Sequence, residues 1–357
     1  MGTFWDRLPP GHGGAEEDLG RLTASGLPFV LYGDGWYAPY LREYLRRRGL
    51  APAAAFTDAG FTSSGEAVSF AEVSRRFPEF AVVIAFANAG LARKKLARLG
   101  VSADRVFFFD VMGELLGSAF GRSYLEANRA RFEEAYGLLQ DGLSRATFEA
   151  ALAAKLGAPG EPLAAVWRKE QYFPRDIVRL SDSEVFVDGG AYTGDTLLTF
   201  LRLTGGACAG CRAFEPDPRN AAKLRAAVER RALRGVTVHN KGLWSEPAAL
   251  PFAAWHGTSA SAVSPGGETS VETETIDRAA PDATFIKLDV EGAELEALKG
   301  ATATIKRNRP RLAVCVYHRP GDLYEIPLFI RALVPDYRFY LRQHQPVACE
   351  TVLYAVP

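Results

Sequence analysis

The run Val185-Phe-Val-Asp-Gly-Gly-Ala-Tyr-Thr-Gly-Asp-Thr196 constrains this chain more than any other segment. An apolar stretch closes on Asp188. A loop with Gly189, Gly190 and Gly194 follows, and Thr196-Leu-Leu-Thr-Phe-Leu201 then begins an amphipathic helix. A strand that feeds a glycine loop at a helix start lets backbone approach a ligand closely. Glycine tolerates the tight turn, and the first helical N–H groups face outward. Twenty-five residues beyond Gly190, the strand-like Arg212-Ala-Phe-Glu215 ends on an acid and runs into Pro216-Asp217-Pro218. An acid in that place can accept both hydroxyls of a ribose. Together the two segments predict a nucleoside-binding βαβ unit.

The 357 residues are enough for two domains, and a hydrophobic content of 48% suits a chain that buries a core. The 42 basic and 42 acidic residues cancel, which argues against a nucleic-acid binder that relies on a global positive field. The four cysteines are Cys208, Cys211, Cys315 and Cys349. Cys208 and Cys211 have C-x-x-C spacing, but no second such pair or histidine pair completes a metal site, so an inert loop is expected. The N-terminus has no long apolar core of a signal peptide, and no run reaches the roughly 18 apolar residues of a membrane span. A soluble cytoplasmic protein is the expectation. Its oligomeric state stays open, a homo-oligomer included.

Three regions are expected: an N-terminal Rossmann-like domain over 1–112, a helical connector over 113–180, and a second α/β domain over 181–357. In the first, strand runs at 28–32, 53–58, 80–86 and 106–110 alternate with helices at 40–49 and 91–99, which implies a small parallel sheet. Gly33-x-Gly35-x-x-Ala38 and Asp58 have the outline of a dinucleotide fingerprint. The bulky Trp36 and Tyr37 and the replacement of the third glycine by Ala38 favour a docking domain without a ligand. The connector carries helical periodicity at Ser123–Leu139 and Thr147–Leu156, with a break at Ala158-Pro-Gly-Glu-Pro162. In the second domain, strands are expected at 184–188, 212–215, 235–239, 283–289, 311–317, 336–341 and 351–356. Helices are expected at 195–203, 218–231, 291–306 and 322–334. Between them, Leu250–Trp255 and Ser270–Thr275 alternate like strands around the turn Gly257–Gly267, predicting an inserted β-hairpin over 245–276.

A second block, Phe285-Ile-Lys-Leu-Asp-Val-Glu-Gly-Ala-Glu294, brings a buried strand to Asp289 and turns through Glu291-Gly292 into a helix. In an open parallel sheet, ligands bind at the carboxyl ends of strands near the point where strand order reverses. Asp289 and Glu291 are therefore site candidates, while Glu294 and Glu296 fit a helix surface, where acids favour the N-terminus. A third block, Leu312-Ala-Val-Cys-Val-Tyr-His318, ends on a histidine that suits either a general base, given its ordinary pKa, or a hydrogen-bonded loop histidine that orients its neighbours. Asp322 fits a cap of the following helix. Trp167, Trp244 and Trp255 could stack on a sugar face, though core packing suits Trp244 better.

The second domain resembles the FkbM-family methyltransferases that use S-adenosylmethionine. The resemblance rests on Phe186–Thr196, Phe214–Pro218, Phe285–Glu294, Tyr317-His318 and Glu350-Thr-Val-Leu-Tyr-Ala355. It covers about half of the chain. It implies a class I methyltransferase fold, a seven-stranded Rossmann-like sheet with the last strand antiparallel. It places Asp188, Gly189, Gly190, Tyr192, Thr193, Gly194, Asp195 and Thr196 at the amino-acid part of the cofactor. Glu215, with Pro216 and Asp217, would hold the ribose. Asn240 and Gly242 would lie near adenine, and Asp289 between cofactor and acceptor. Members commonly methylate hydroxyls of sugars or natural products, so O-methyl transfer to a small molecule is implied. The balanced charge leaves no nucleic-acid partner expected, and no resident metal is expected, because a divalent ion bridging Asp289 and Glu291 would have no further evident ligand. His318 would be the base, with Asp289 orienting or replacing it and Glu291 beside them. Two other readings compete. One is an NAD-dependent oxidoreductase using Gly33–Ala38 and Asp58. The other is a cofactor-binding scaffold without catalysis.

Overall fold

The computed structural model describes residues 4–8, 14–35, 37–58, 67–86, 89–109, 120–156, 162–254, 261–263, 269–346 and 349–357. They fall into two compact units. One comprises Met1–Arg129, Ala146–Trp167 and Gln345–Cys349. The other comprises Ala130–Arg145, Arg168–His344 and Glu350–Pro357.

In the first unit, helices α1 (Gly14–Ala24), α2 (Ala38–Arg46), α3 (Phe70–Arg76) and α4 (Ala89–Arg98) alternate with strands β1 (Phe29–Tyr32), β2 (Ala54–Phe56), β3 (Ala81–Ile84) and β4 (Val106–Phe107). The sheet order is β2-β1-β3-β4, parallel throughout. Successive strand residues face opposite sides. Leu31 and Val83 pack with Leu41 and Leu45 of α2, while Val30, Val82 and Ile84 pack with Val73 of α3 and Leu96 of α4. Both faces are covered, which is why these strands are unbroken apolar runs without alternation. Trp36 and Asp110 lie outside the described residues.

Helices α5 (Arg122–Ala127), α6 (Arg129–Leu138), α7 (Gly142–Lys155) and α8 (Pro162–Val166) occupy the expected connector. They divide between the two units: most of α6 and the start of α7 group with the second, and α5, most of α7 and α8 with the first. The break expected at 158–162 lies outside the described residues, except Pro162, which opens α8.

The second unit contains β5 (Val185–Gly189), α9 (Asp195–Leu203), β6 (Gly210–Phe214), α10 (Pro218–Arg230), β7 (Val236–His239), β8 (Gly242–Leu243), β9 (Ala249–Ala254), β10 (Ser261–Val263), β11 (Thr269–Glu274) and α11 (Ile276–Ala279). It continues with β12 (Phe285–Leu288), α12 (Glu294–Lys299), α13 (Thr302–Asn308), β13 (Arg311–Cys315), α14 (Asp322–Leu333), β14 (Arg338–Gln343) and β15 (Thr351–Val356). The large sheet runs β14-β15-β13-β12-β5-β6-β7. Only β15, the last strand, runs antiparallel to its neighbours. Strand order reverses between β5 and β12, so the loops after these two strands open beside each other. Phe173, Phe186, Phe200 and Phe285 form the aromatic centre of one face, with the Phe186 and Phe200 rings 4.4 Å apart. The inserted segment forms a second sheet, β10-β9-β11-β8, in which β9 and β11 pair antiparallel with Leu250 opposite Val271. Trp255 and most of the turn 257–267 lie outside the described residues.

The helix expected at 291–306 is two helices. Glu291 and Gly292 both hold positive φ, 54° and 93°, so the chain cannot become helical before Glu294. The second break is at Gly300, where a Cβ atom would lie 2.1 Å from the carbonyl oxygen of Trp244. No helix among the described residues is long and apolar enough to cross a membrane.

Candidate active site

The carboxyl edge of β5, β6 and β12 is held together by its own backbone. Gly190 and Ala191 donate N–H groups to Phe214 O at 3.0 and 2.9 Å, tying the glycine loop to the end of β6. Gly190, at φ 71°, packs so closely on the next strand that a Cβ atom would lie 1.8 Å from Asp289 O. The Glu215 carboxylate closes the loop from the other side, accepting N–H groups from Tyr192 at 2.8 Å and Asp217 at 2.9 Å. Burial pushes the Glu215 carboxyl up to about 7, against those two amides. Two carboxylate oxygens offer about four acceptor positions, so room for further donors remains. Beneath the loop, Lys287 lies 3.1 Å from Asp188 Oδ1 and donates to Gly189 O at 3.0 Å and Gly190 O at 2.8 Å. Burial disfavours its charge, but Asp188 and Asp289 outweigh this and hold the ammonium above its usual pKa.

Beside the loop stands a cluster of acids around one histidine. His318 is 6% exposed. Its Nδ1 lies 2.9 Å from Glu294 Oε1, and its Nε2 lies 3.4 Å from Glu291 Oε2 and 3.7 Å from Asp289 Oδ1. Burial alone would favour the neutral ring, but Glu294 and Glu291 hold its pKa well above the usual value. The acids around the ring therefore favour its protonated form. Asp289 accepts the Tyr172 hydroxyl at 2.8 Å and lies 3.4 Å from the Tyr317 hydroxyl. Burial pushes its carboxyl up, yet Lys287 and His318 prevail and keep it below the ordinary value.

Four non-glycine residues with positive φ surround this place: Tyr172 (62°), Tyr192 (47°), Glu291 (54°) and Glu350 (63°). Each such conformation costs about 1–3 kcal/mol and collects where surrounding structure enforces it, typically at functional sites.

Residues 188–343 match the profile of the Methyltransferase FkbM domain. The structure of a methyltransferase FkbM from Methylobacillus flagellatus KT superposes with a TM-score of 0.76 at 25% identity, covering 98% of this chain and 94% of that one. Residues 188–343 form an FkbM methyltransferase domain. An rRNA methylase from Streptococcus thermophilus and a precorrin-6y C5,15-methyltransferase from Geobacter metallireducens GS-15 are more distant. Each has a TM-score of 0.32 and 14% identity; they cover 49% and 53% of this chain, and 87% and 91% of their own, and carry no weight. No curated protein matches the sequence closely enough to be aligned with it.

Several expected residues of the methyltransferase domain take positions that sequence could not assign. Asp217 is the N-cap of α10, accepting from Arg219 N at 2.8 Å and Asn220 N at 3.2 Å, and it also pairs with the Arg219 guanidinium. The Asn240 amide donates to Glu215 O and Pro216 O, both at 2.9 Å, bracing the turn that presents Glu215. Gly242 lies in β8 against Thr273. Thr193, Gly194, Asp195 and Thr196 carry the loop into α9, with Gly194 at φ 95° as its N-cap and Tyr192 40% exposed beside them.

Glu294 departs from its expected place on a helix surface: it is fully buried, accepts Val290 N at 2.9 Å and contacts His318. Glu296, partly buried, pairs with Lys299 instead. Asp322 does not cap α14 from outside; it is the helix's first residue and accepts Arg319 N at 2.7 Å, closing the turn after His318. Sequence reasoning also missed a chain of polar groups. His344 contacts Arg168 O at 2.9 Å and the Tyr354 hydroxyl at 2.8 Å, and that hydroxyl accepts Tyr172 N at 2.9 Å. Thus β14 and β15 fix Tyr172, which in turn holds Asp289. The only sequence signal was Glu350–Ala355, which marked the strand but not the contact.

In the first unit, Asp58 is already engaged by the Tyr32 hydroxyl at 2.9 Å and by Lys95, and Tyr37 donates to Phe109 O at 2.5 Å. An acid committed in this way is poorly placed to take the hydroxyls of a dinucleotide. Cys208 and Cys211 are free, with sulfurs 3.6 Å apart.

Proposed function

We propose that this methyltransferase moves a methyl group from S-adenosylmethionine to a hydroxyl of a small molecule, a sugar, nucleotide-sugar or polyketide-like natural product, in the cytoplasm. The observation that carries the reading is the close approach of Gly190 to Asp289. That space admits no Cβ atom, and Glu215 is fastened to the same loop through Tyr192. The pattern suits a cofactor laid across the end of β5, with Glu215 receiving ribose hydroxyls and the loop amides facing the amino-acid part. The cofactor supplies an electrophilic methyl group on a sulfonium. The chain must align the acceptor and manage its proton.

The acids around His318 favour its protonated form, which points to a part beside that of a base. The protonated ring can stabilise negative charge growing on the acceptor oxygen, with Glu294 as its buried counter-charge 2.9 Å from Nδ1. Asp289 assists on the other side. We expect His318→Gln to lower turnover by roughly 100-fold or more while leaving cofactor affinity within about threefold. Radiolabelled methyl transfer, with an acceptor from a screen of sugars and polyketide alcohols, measures the first, and calorimetry the second. Equal losses in both would remove His318 from catalysis.

Calorimetric titration with S-adenosylmethionine and S-adenosylhomocysteine tests the cofactor. Glu215→Ala should weaken both by about 100-fold, since a charged bidentate acceptor is lost. The affinity of the unsubstituted protein should also depend on pH. Glu215 titrates near 7 before binding, and donated hydroxyls favour its ionised form, so affinity rises between pH 6 and 8. The stability effect has the opposite sign. A carboxyl raised from 4.5 to about 7 contributes stability below the lower value, and this is lost as pH rises through the upper. A flat pH profile, or binding untouched in Glu215→Ala, would overturn the ribose assignment.

A further inference from the structure

The proton of the acceptor still needs a destination. The acids around His318 favour its charged form, and Lys287 and His318 hold Asp289 below the ordinary carboxylate range, which makes both weaker proton acceptors. Glu350 stands next to Asp289. A carboxylate oxygen of Asp289, Cys315 Sγ and a carboxylate oxygen of Glu350 all lie within 4.8 Å of one another, and Glu350 is only part-buried. It precedes β15 with φ 63°, a strained conformation that turns the chain there. The Gln171 amide donates to its carboxylate. Gln171 immediately precedes Tyr172, the residue that holds Asp289, so one short segment, 171–172, grips both carboxylates.

We propose that Glu350 is the proton acceptor of the site, the outer member of an Asp289–Glu350 carboxylate pair, with Gln171 as its positioning residue. The proposal rests on S-adenosylmethionine being the cofactor. In the transfer, the acceptor O–H bond breaks and its proton goes to Glu350. The oxygen forms the bond to the methyl carbon, and the electron pair of the broken S–C bond stays on sulfur. The two carboxylates divide the work because their surroundings differ. Asp289 faces Lys287, His318 and the Tyr172 and Tyr317 hydroxyls, and stays ionised. Glu350 faces Asp289, Cys315, Tyr172 and Tyr317. Burial and then the Asp289 charge raise it to about 7, while Gln171, His318 and Lys287 oppose the rise. A carboxyl brought up towards neutrality is suited to act as a general base.

Proton linkage tests the idea without an acceptor. A sulfonium brought to this site should drive the proton off Glu350, whereas the neutral sulfur of S-adenosylhomocysteine should not. Glu215 responds to the ribose in both ligands, so the difference between them isolates Glu350. Titrations at pH 7 in two buffers of different ionisation enthalpy should show S-adenosylmethionine releasing about 0.2–0.5 proton more than S-adenosylhomocysteine. In Glu350→Gln both ligands should still bind, and the difference should vanish. Gln171→Met keeps Glu350 but removes its amide donor, so the pH of maximal difference should move upward; this variant carries the test if Glu350→Gln does not fold. No difference in the unsubstituted protein, a difference that persists in Glu350→Gln, or an unmoved optimum in Gln171→Met would overturn the proposal. Failure of both ligands to bind would instead sink the cofactor reading, and this proposal with it.

Discussion

Gly190→Ala should abolish cofactor binding, lowering S-adenosylmethionine affinity by at least about 100-fold, or about 2.7 kcal/mol. Two effects add. The backbone at φ 71° is left-handed, which costs an alanine about 1–2 kcal/mol. The new methyl would sit 1.8 Å from Asp289 O, a backbone atom that cannot swing away, so the loop or β12 must move. Moving the loop takes Tyr192 N away from Glu215, and moving β12 displaces Asp289. Calorimetry on the folded variant checks this. Affinity within threefold of the unsubstituted protein would mean that the loop is not where the cofactor lies. Gly205→Ala makes a useful control. It shares a positive φ of 64° but meets nothing within 4 Å, so it should cost stability and leave binding alone.

Lys287→Met should lower the melting temperature by about 10 °C. Removing one partner of a buried ion pair costs roughly 3–5 kcal/mol, because the other charge is left without compensation. For domains of this size, each kcal/mol is worth about 2–4 °C. The side chains of Lys287 and Asp188 are 2% and 1% exposed, and the ammonium also serves Gly189 O and Gly190 O. The double variant Asp188→Asn with Lys287→Met should recover part of the loss, since no bare charge then remains. Differential scanning calorimetry measures both. A drop below about 3 °C in the single variant would show that water reaches Asp188 and that the pair is not load-sharing for the loop.

The parts of the site that could be read from sequence are those in which chemistry and backbone requirement coincide. Gly190 and Gly194 stand where φ is positive, Glu215 ends a strand on an acid, and Asp289 closes an apolar run, so each left a local mark. The fold followed for the same reason. Strands covered on both faces are continuous apolar runs, and their alternation with helices implies parallel sheets. Boundaries were less legible. Gly300 ends the first helix where its carbonyl accepts Asp277 N and the Trp244 carbonyl packs where a Cβ atom would stand, contacts made by residues distant in sequence.

What the sequence by itself determined was the order of elements and the loop chemistry at the ends of β5, β6 and β12, because these depend on neighbours along the chain. Tertiary structure alone decided how the acids divide their roles. Glu294 and Glu296 are two residues apart in one helix, yet one is fully buried against His318 and the other, partly buried, pairs with Lys299. Asp289 and Glu350 are both carboxylates, yet one is held low and the other raised to about 7. A pKa is set by burial, by charges within a few ångströms and by hydrogen bonds. Lys287 is a neighbour of Asp289 along the chain, but the His318 charge, Glu350 itself and the Gln171 and Tyr172 donors are distant in sequence and meet only when the sheet is assembled.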